Sequence, residues 1–155
     1  MKVATTTKID APIDRVFNFV SNVHEMAKAF PDSVIKLETL TENDAGVGAR
    51  FRETRLLGKK EDVIELETIE YVVNERVKSE TLTAGSLWQT GFAVEPEGSG
   101  TLLTMTMEAQ PQNLFARITN VFLKRSLNKG AAEEIDKVKA HCESAEFLAE
   151  PTRAR

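Results

Sequence analysis

The residues with the most chemical potential in this chain alternate along Arg50-Phe51-Arg52-Glu53-Thr54-Arg55. On a β-strand, Phe51, Glu53 and Arg55 project to one face, and Arg50, Arg52 and Thr54 to the other. If Phe51 points into a core, a carboxylate and a guanidinium go with it, and each costs on the order of several kcal/mol in an apolar interior unless paired or hydrated. An inward Glu53–Arg55 pair would orient a ligand carbonyl or hydroxyl, or serve as acid and base. These two are the catalytic candidates, with the hydroxyls of Tyr71 and Thr90 as helpers. The plainer alternative places the pair at a solvated strand end, or has a bulge after Gly48 reverse the parity.

No other constellation competes. His141 adjoins Cys142, but neighbouring helical side chains diverge by about 100°, so they form no dyad, and His24 has only Glu25 beside it. Two histidines and a single cysteine supply no metal-ligand set and no intramolecular disulfide, so neither metal nor cofactor is expected. Gly46-Val47-Gly48 leads into a strand, not into the helix that a phosphate-binding loop requires. Lys124, Arg125 and Lys129 are closely followed by Glu133, Glu134 and Asp136, the pattern of a solvated helix face.

Parity selects an apolar wall to accompany the pair. Leu103, Met105 and Met107 alternate with Thr104, Thr106 and Glu108, while Trp88, Thr90, Phe92 and Val94 share a face on the preceding strand. With Phe51 they make an aromatic and thioether surface, adaptable because methionine is flexible and polarisable. Any one of them would serve equally well as plain core. On the fourth strand the apolar set is Ile64, Leu66, Thr68 and Val72, which puts Tyr71 outward or at a rim.

The elements that must hold these residues follow from punctuation and period. Lys2 to Ile9 is rich in β-branched residues and reads as a strand. Pro12 suits a first helical turn capped by Asp10 or Ala11, and Val16, Phe17, Phe19 and Val20 form a helical stripe. Asn22 opens a second short helix reaching Phe30. Six strands fit between turn signals, at about 33–42, 48–57, 60–73, 76–84, 87–95 and 101–110, giving seven in sequential antiparallel order. From Asn113 to about Leu148 apolar residues recur at helical spacing, predicting one long helix broken or bent near Asn128-Lys129-Gly130. On it, Phe115, Ile118 and Phe122 are expected to meet the sheet at one end, with 111–118 as part of a gate. A twisted sheet wrapped around one helix encloses more volume than the helix fills, so an internal pocket is expected.

The 155 residues are 41% hydrophobic with a formal net charge of −4, which fits one domain over 1–150 and a frayed tail at 151–155. There is no basic field for nucleic acid, no apolar run of membrane-span length and no signal-peptide core. The expected setting is the cytoplasm, as a monomer or homodimer without stable membrane insertion.

The element order β-αα-ββββββ-α, the opening Ile9-Asp10-Ala11-Pro12-Ile13-Asp14-Arg15-Val16-Phe17 and the Gly46-Val47-Gly48-Ala49-Arg50-Phe51 turn resemble the polyketide cyclase/dehydrase and lipid-transport group of the START-like (SRPBCC, Bet v 1-like) superfamily. The resemblance covers residues 2 to about 148. It implies an α+β helix-grip fold with a deep cavity for an apolar or aromatic ligand between sheet and helix. Three functions fit. The first is a carrier or sensor binding a hydrophobic small molecule, lipid-like or aromatic. The second is a metal-free cyclase/dehydrase of aromatase type using Glu53 and Arg55, and the third is a protein-interaction module with a filled core.

Overall fold

The computed structural model describes residues 1–57 and 59–150, so the tail expected at 151–155 lies outside the described residues. The chain runs β1 (Lys2–Ile9), α1 (Ile13–Val20), α2 (Val23–Ala27), β2 (Val34–Thr39), β3 (Arg50–Leu57), β4 (Lys60–Val72), β5 (Arg76–Thr83), β6 (Ser86–Glu97), β7 (Gly100–Pro111), α3 (Leu114–Cys142) and α4 (Ala145–Ala149). The seven strands form one sheet in the order β1-β7-β6-β5-β4-β3-β2, with every neighbouring pair antiparallel. Successive hairpins account for β2 to β7. The first strand closes the far edge by pairing with the last, from Lys2 opposite Glu108 to Ile9 opposite Thr101. This is the expected α+β helix-grip architecture.

Local chemistry explains the joints. Pro12 itself takes the cap position of α1, with no side-chain capping bond, and the backbone N–H of Asp10 donates to Glu143 Oε1 at 2.8 Å. Proline fits there because a cap residue needs extended backbone and no intrahelical donor. The Asn22 side chain caps α2 by accepting from the N–H groups of His24 and Glu25, and α2 is shorter than the sequence predicts, ending at Ala27. The β5–β6 hairpin turns on Ala84 and Gly85, both at positive φ (49° and 71°), the backbone twist that tight hairpins favour. A Cβ on Gly85 would run into the Asn113 side chain, so the close approach of α3's cap to this turn requires glycine.

The helix α3 continues unbroken through Asn128, Lys129 and Gly130, and the interruption falls at Glu143-Ser144, where Ser144 caps α4. Glycine costs only about 1 kcal/mol inside a helix, which flanking turns absorb here. Ala131, Ile135, Val138 and Cys142 face β1 and β7 and are buried with Ile9, Val16, Phe17 and Leu103. Burial pushes the Cys142 thiol up to about 12, so it is packing material and not a nucleophile. Phe19 stacks on the His141 ring with centroids 4.5 Å apart, and desolvation holds that imidazole below its ordinary value.

The solid core therefore occupies the end of the molecule spanned by α1, the second half of α3 and strands β1, β7 and β6. Across β3, β4 and β5 the inner face is not covered in the same way, and there the interior opens.

Candidate functional site

A cavity of about 430 Å³ lies between the inner face of the sheet, the end of α1, α2 and α3. Its walls follow strand parity. From β3 come Glu53 and Arg55; from β4 Asp62, Ile64 and Leu66; from β6 Trp88, Thr90 and Phe92; and from β7 Met107. Between them β5 contributes Val77, Ser79, Thr81 and Thr83, and, against the alternation, Glu80. Val20, Val23 and Met26 close it from the short helices, and Leu127 and Glu134, seven residues apart on one face of α3, from above.

The parity of β3 holds without a bulge. Phe51 pairs with Leu66, Glu53 with Ile64 and Arg55 with Asp62, which carries the whole set inward. Arg50 and Arg52 go to the opposite face, where both bond Glu65. Glu53 is only 6% exposed, whereas the Arg55 side chain is 43% exposed and reaches outward along the cavity wall. Nε and Nη2 of Arg55 both lie 2.6 Å from Glu53 Oε2. Charge-assisted contact of that kind keeps a buried carboxylate tolerable. Among the described residues no hydrogen bond reaches Glu53 Oε1, and no fully buried side-chain oxygen lacks a partner, so this oxygen borders the open volume.

Glu134 joins the pair from α3. The sequence pattern places it on a solvated helix face beside Glu133 and Asp136, but it is half-buried and lines the cavity. Burial raises its carboxyl above the usual carboxylate range; the Arg55 charge opposes the shift, the Glu53 charge adds to it, and Lys137 opposes it. The lining thus carries the carboxyl groups of Glu53, Asp62 and Glu134 together with the Arg55 guanidinium, and also Glu80, whose carboxylate accepts from Gln89 Nε2 at 2.8 Å. The rest is lined by aliphatic, aromatic and thioether groups, with the hydroxyls of Ser79, Thr81, Thr83 and Thr90 on the floor.

The raised Glu134 carboxyl has a consequence for stability. A carboxyl that binds its proton more tightly in the folded chain contributes fully at low pH, and that contribution fades as pH rises through the raised value. Glu134→Gln should therefore gain stability relative to the parent chain as pH rises from about 4, where free glutamate titrates, through the raised value of the folded chain. Urea midpoints measured across that range check this, and parallel profiles for the two proteins would contradict it.

The remaining candidates do not line the cavity. Phe51, Leu103 and Met105 point inward but are fully buried and do not border the open volume; they are core. Phe115, Ile118 and Phe122 correct the expectation that they meet the sheet, because all three lie on the outer side of α3, with Phe115 75% and Phe122 80% exposed. The buried positions of that half-helix are the small Ala116 and the polar Asn120, and Asn120 Nδ2 donates to Ser86 Oγ at 3.1 Å. Periodicity finds the apolar stripe but not the direction in which it faces. Tyr71 also departs from parity. A register shift between Thr68 and Glu70 turns it inward, where its ring meets Phe17 edge-on at 5.4 Å and its hydroxyl lies 3.5 Å from Ser21 Oγ. It is thereby tied into the core and is not among the cavity-lining residues.

Sheet, grasping helix and enclosed apolar space define a START-like, Bet v 1-like helix-grip protein. The sequence matches the model of one family, described as polyketide cyclase / dehydrase and lipid transport, over residues 1–143, and the chain belongs to that family. No curated protein matches it. Among solved structures it is similar to TTHA0849 from Thermus thermophilus, with 16% identity, a TM-score of 0.72 and coverage of 96% of this chain and 98% of that one. It is similar also to norcoclaurine synthase from Thalictrum flavum in complex with dopamine and hydroxybenzaldehyde, with 17% identity, a TM-score of 0.67 and coverage of 93% and 88%. The Aha1 dimer from Colwellia psychrerythraea aligns at 13% identity with a TM-score of 0.66, covering 92% of this chain and 96% of that one. At these identities the likeness concerns the fold. Family membership supports binding of a hydrophobic ligand in general terms.

Proposed function

We propose that this protein binds an apolar, ring-containing small molecule in the cavity, with a hydrogen-bond donor of the ligand, a hydroxyl or an amine, directed at the carboxyl groups of Glu53, Asp62 and Glu134. The observation that carries this reading is the combination of about 430 Å³ of open, mainly apolar interior with the carboxyl groups of Glu53, Asp62 and Glu134 in its lining. A volume of this size suits a molecule of two or three fused rings, and concave apolar spaces with few convergent polar groups are where such ligands bind. Acidic side chains outnumber the one guanidinium in the lining and leave acceptors in excess, so a donor-bearing ligand is matched better than an anionic one. That a structural neighbour is seen with dopamine, which carries both hydroxyl and amine donors, agrees in kind. The open interior also favours this reading over an interaction module with a filled core.

Binding alone requires no more than these parts, which makes a carrier or sensor the leading reading. A second reading, proton-transfer catalysis of cyclase/dehydrase type, draws on one observation: Glu134 holds a proton more firmly than an ordinary glutamate and faces the same space as the paired Glu53. A carboxylic acid and a carboxylate that border the same pocket can give a proton to a ligand and take one from it.

Native mass spectrometry of the protein purified from its own cells tests the reading. A stoichiometric adduct of small-molecule mass, lost on denaturation, is the expected result. An adduct-free protein that also fails to bind added naphthols would overturn it. Turnover of a bound polyketide-like compound, abolished by Glu134→Gln with binding retained, would favour the catalytic alternative.

A further inference from the structure

The first half of α3 is amphipathic in the inverse sense. Its sheet-facing side carries Ala116 and Asn120, while Leu114, Phe115, Ile118, Val121 and Phe122 are on the outer side, each more than half exposed. Arg117, Lys124, Arg125 and Lys129 fall within the same stretch, and from Leu114 to Gly130 there is no acidic residue, in a chain whose net charge is −4. Among the described residues only Lys129 of these four has an ion pair, with Glu133 at 3.7 Å. The segment is fixed in place: Asn113 caps it, Gln112 N–H donates to the Gly85 carbonyl at 2.9 Å, and Asn120 bonds Ser86. A large apolar face is thus held out to solvent on a pre-formed helix, with cations beside it and no anions.

We propose that this outer face of α3 docks on membranes containing anionic lipid, the helix lying in the interface with its phenylalanines below the headgroup level. Aromatic and aliphatic side chains on a helix in the interfacial plane, with basic residues meeting anionic headgroups, are the ingredients of surface binding without a span. Charge complementarity selects this occupant. A second copy of the chain joined through the same face would bring cation-only segments together, whereas an anionic bilayer matches both the apolar and the basic side chains. Reversible docking is compatible with the lack, among the described residues, of any helix long and apolar enough to cross a membrane. The proposal goes beyond the cavity reading and does not require the cavity to be occupied.

Cosedimentation of the full chain with vesicles tests it. Vesicles of equal parts phosphatidylcholine and phosphatidylglycerol should bind it about tenfold or more tightly than phosphatidylcholine alone, with the difference shrinking in high salt. Phe115→Ser with Phe122→Ser, and separately Lys124→Glu with Arg125→Glu, should each lower that partition by about tenfold or more, at unchanged circular dichroism and unchanged binding of naphthol in the cavity. No partition to anionic vesicles, or variants that partition like the parent, would overturn the proposal. So would a dimer by analytical ultracentrifugation that the double serine variant dissociates, since that would give the face to a second copy.

Discussion

Thr90→Phe should bind naphthol-sized probes about tenfold or more weakly than the parent chain while melting at the same temperature or higher. Thr90 stands on β6 opposite Ser79 of β5 and Met107 of β7, in the middle of the cavity floor. A phenyl ring there projects into open volume, so it takes the place of the ligand and adds buried apolar contact with the surrounding wall. In a filled core the same substitution would be overpacking and would cost about 1–3 kcal/mol. The sign of the change in melting temperature, read beside probe affinity, therefore separates an open interior from a filled one. Trp88, the one tryptophan in the chain and a wall residue, supplies the fluorescence signal.

Arg55→Ala should destabilise the fold by about 2–3 kcal/mol, and adding Glu53→Gln should restore most of the loss. Removing the guanidinium leaves a nearly fully buried carboxylate without the partner that holds its Oε2 from two nitrogens. The figure is set below that for a wholly buried pair because the Arg55 side chain keeps a substantial exposure, so solvent already screens part of the interaction. The glutamine amide keeps the shape and the hydrogen bonding without the charge. Denaturant unfolding of the two single variants and the double variant checks the coupling, and simple additivity of the two losses would show that Glu53 does not depend on Arg55.

Much of this architecture is legible in the sequence, because strand alternation and turn residues act locally. The hairpins from β2 to β7 follow Gly, Asn and Pro punctuation, and parity alone carries Glu53, Arg55, Trp88, Thr90, Phe92 and Met107 to the face that borders the cavity. What escapes is what local pattern does not encode. The bulge between Thr68 and Glu70 turns Tyr71 inward without a glycine or proline to announce it. The orientation of α3 about its own axis is the larger departure. Two apolar sets lie on this helix, one around Ala131, Ile135 and Val138 facing the sheet, the other around Phe115 and Phe122 facing solvent. A stripe continued along the whole helix merges them. The signal that separates them is the small or polar character of Ala116 and Asn120 at the positions in phase with Ala131, Ile135 and Val138. Glu134 escapes for the same reason: its neighbours Glu133 and Asp136 are solvated, and one turn of a helix presents residues to both environments.

Whether the cavity is the place where an apolar ligand binds is tested most directly by a titration followed by amide NMR. With 2-naphthol added to the full chain, saturable shifts should concentrate at Ser79, Thr81, Thr90 and the Trp88 indole N–H, all of which line the open volume. Glu134→Gln should alter the affinity without moving the site. Absence of saturable shifts at those residues, or shifts confined to the outer face of α3 around Phe115 and Phe122, would contradict binding in the cavity.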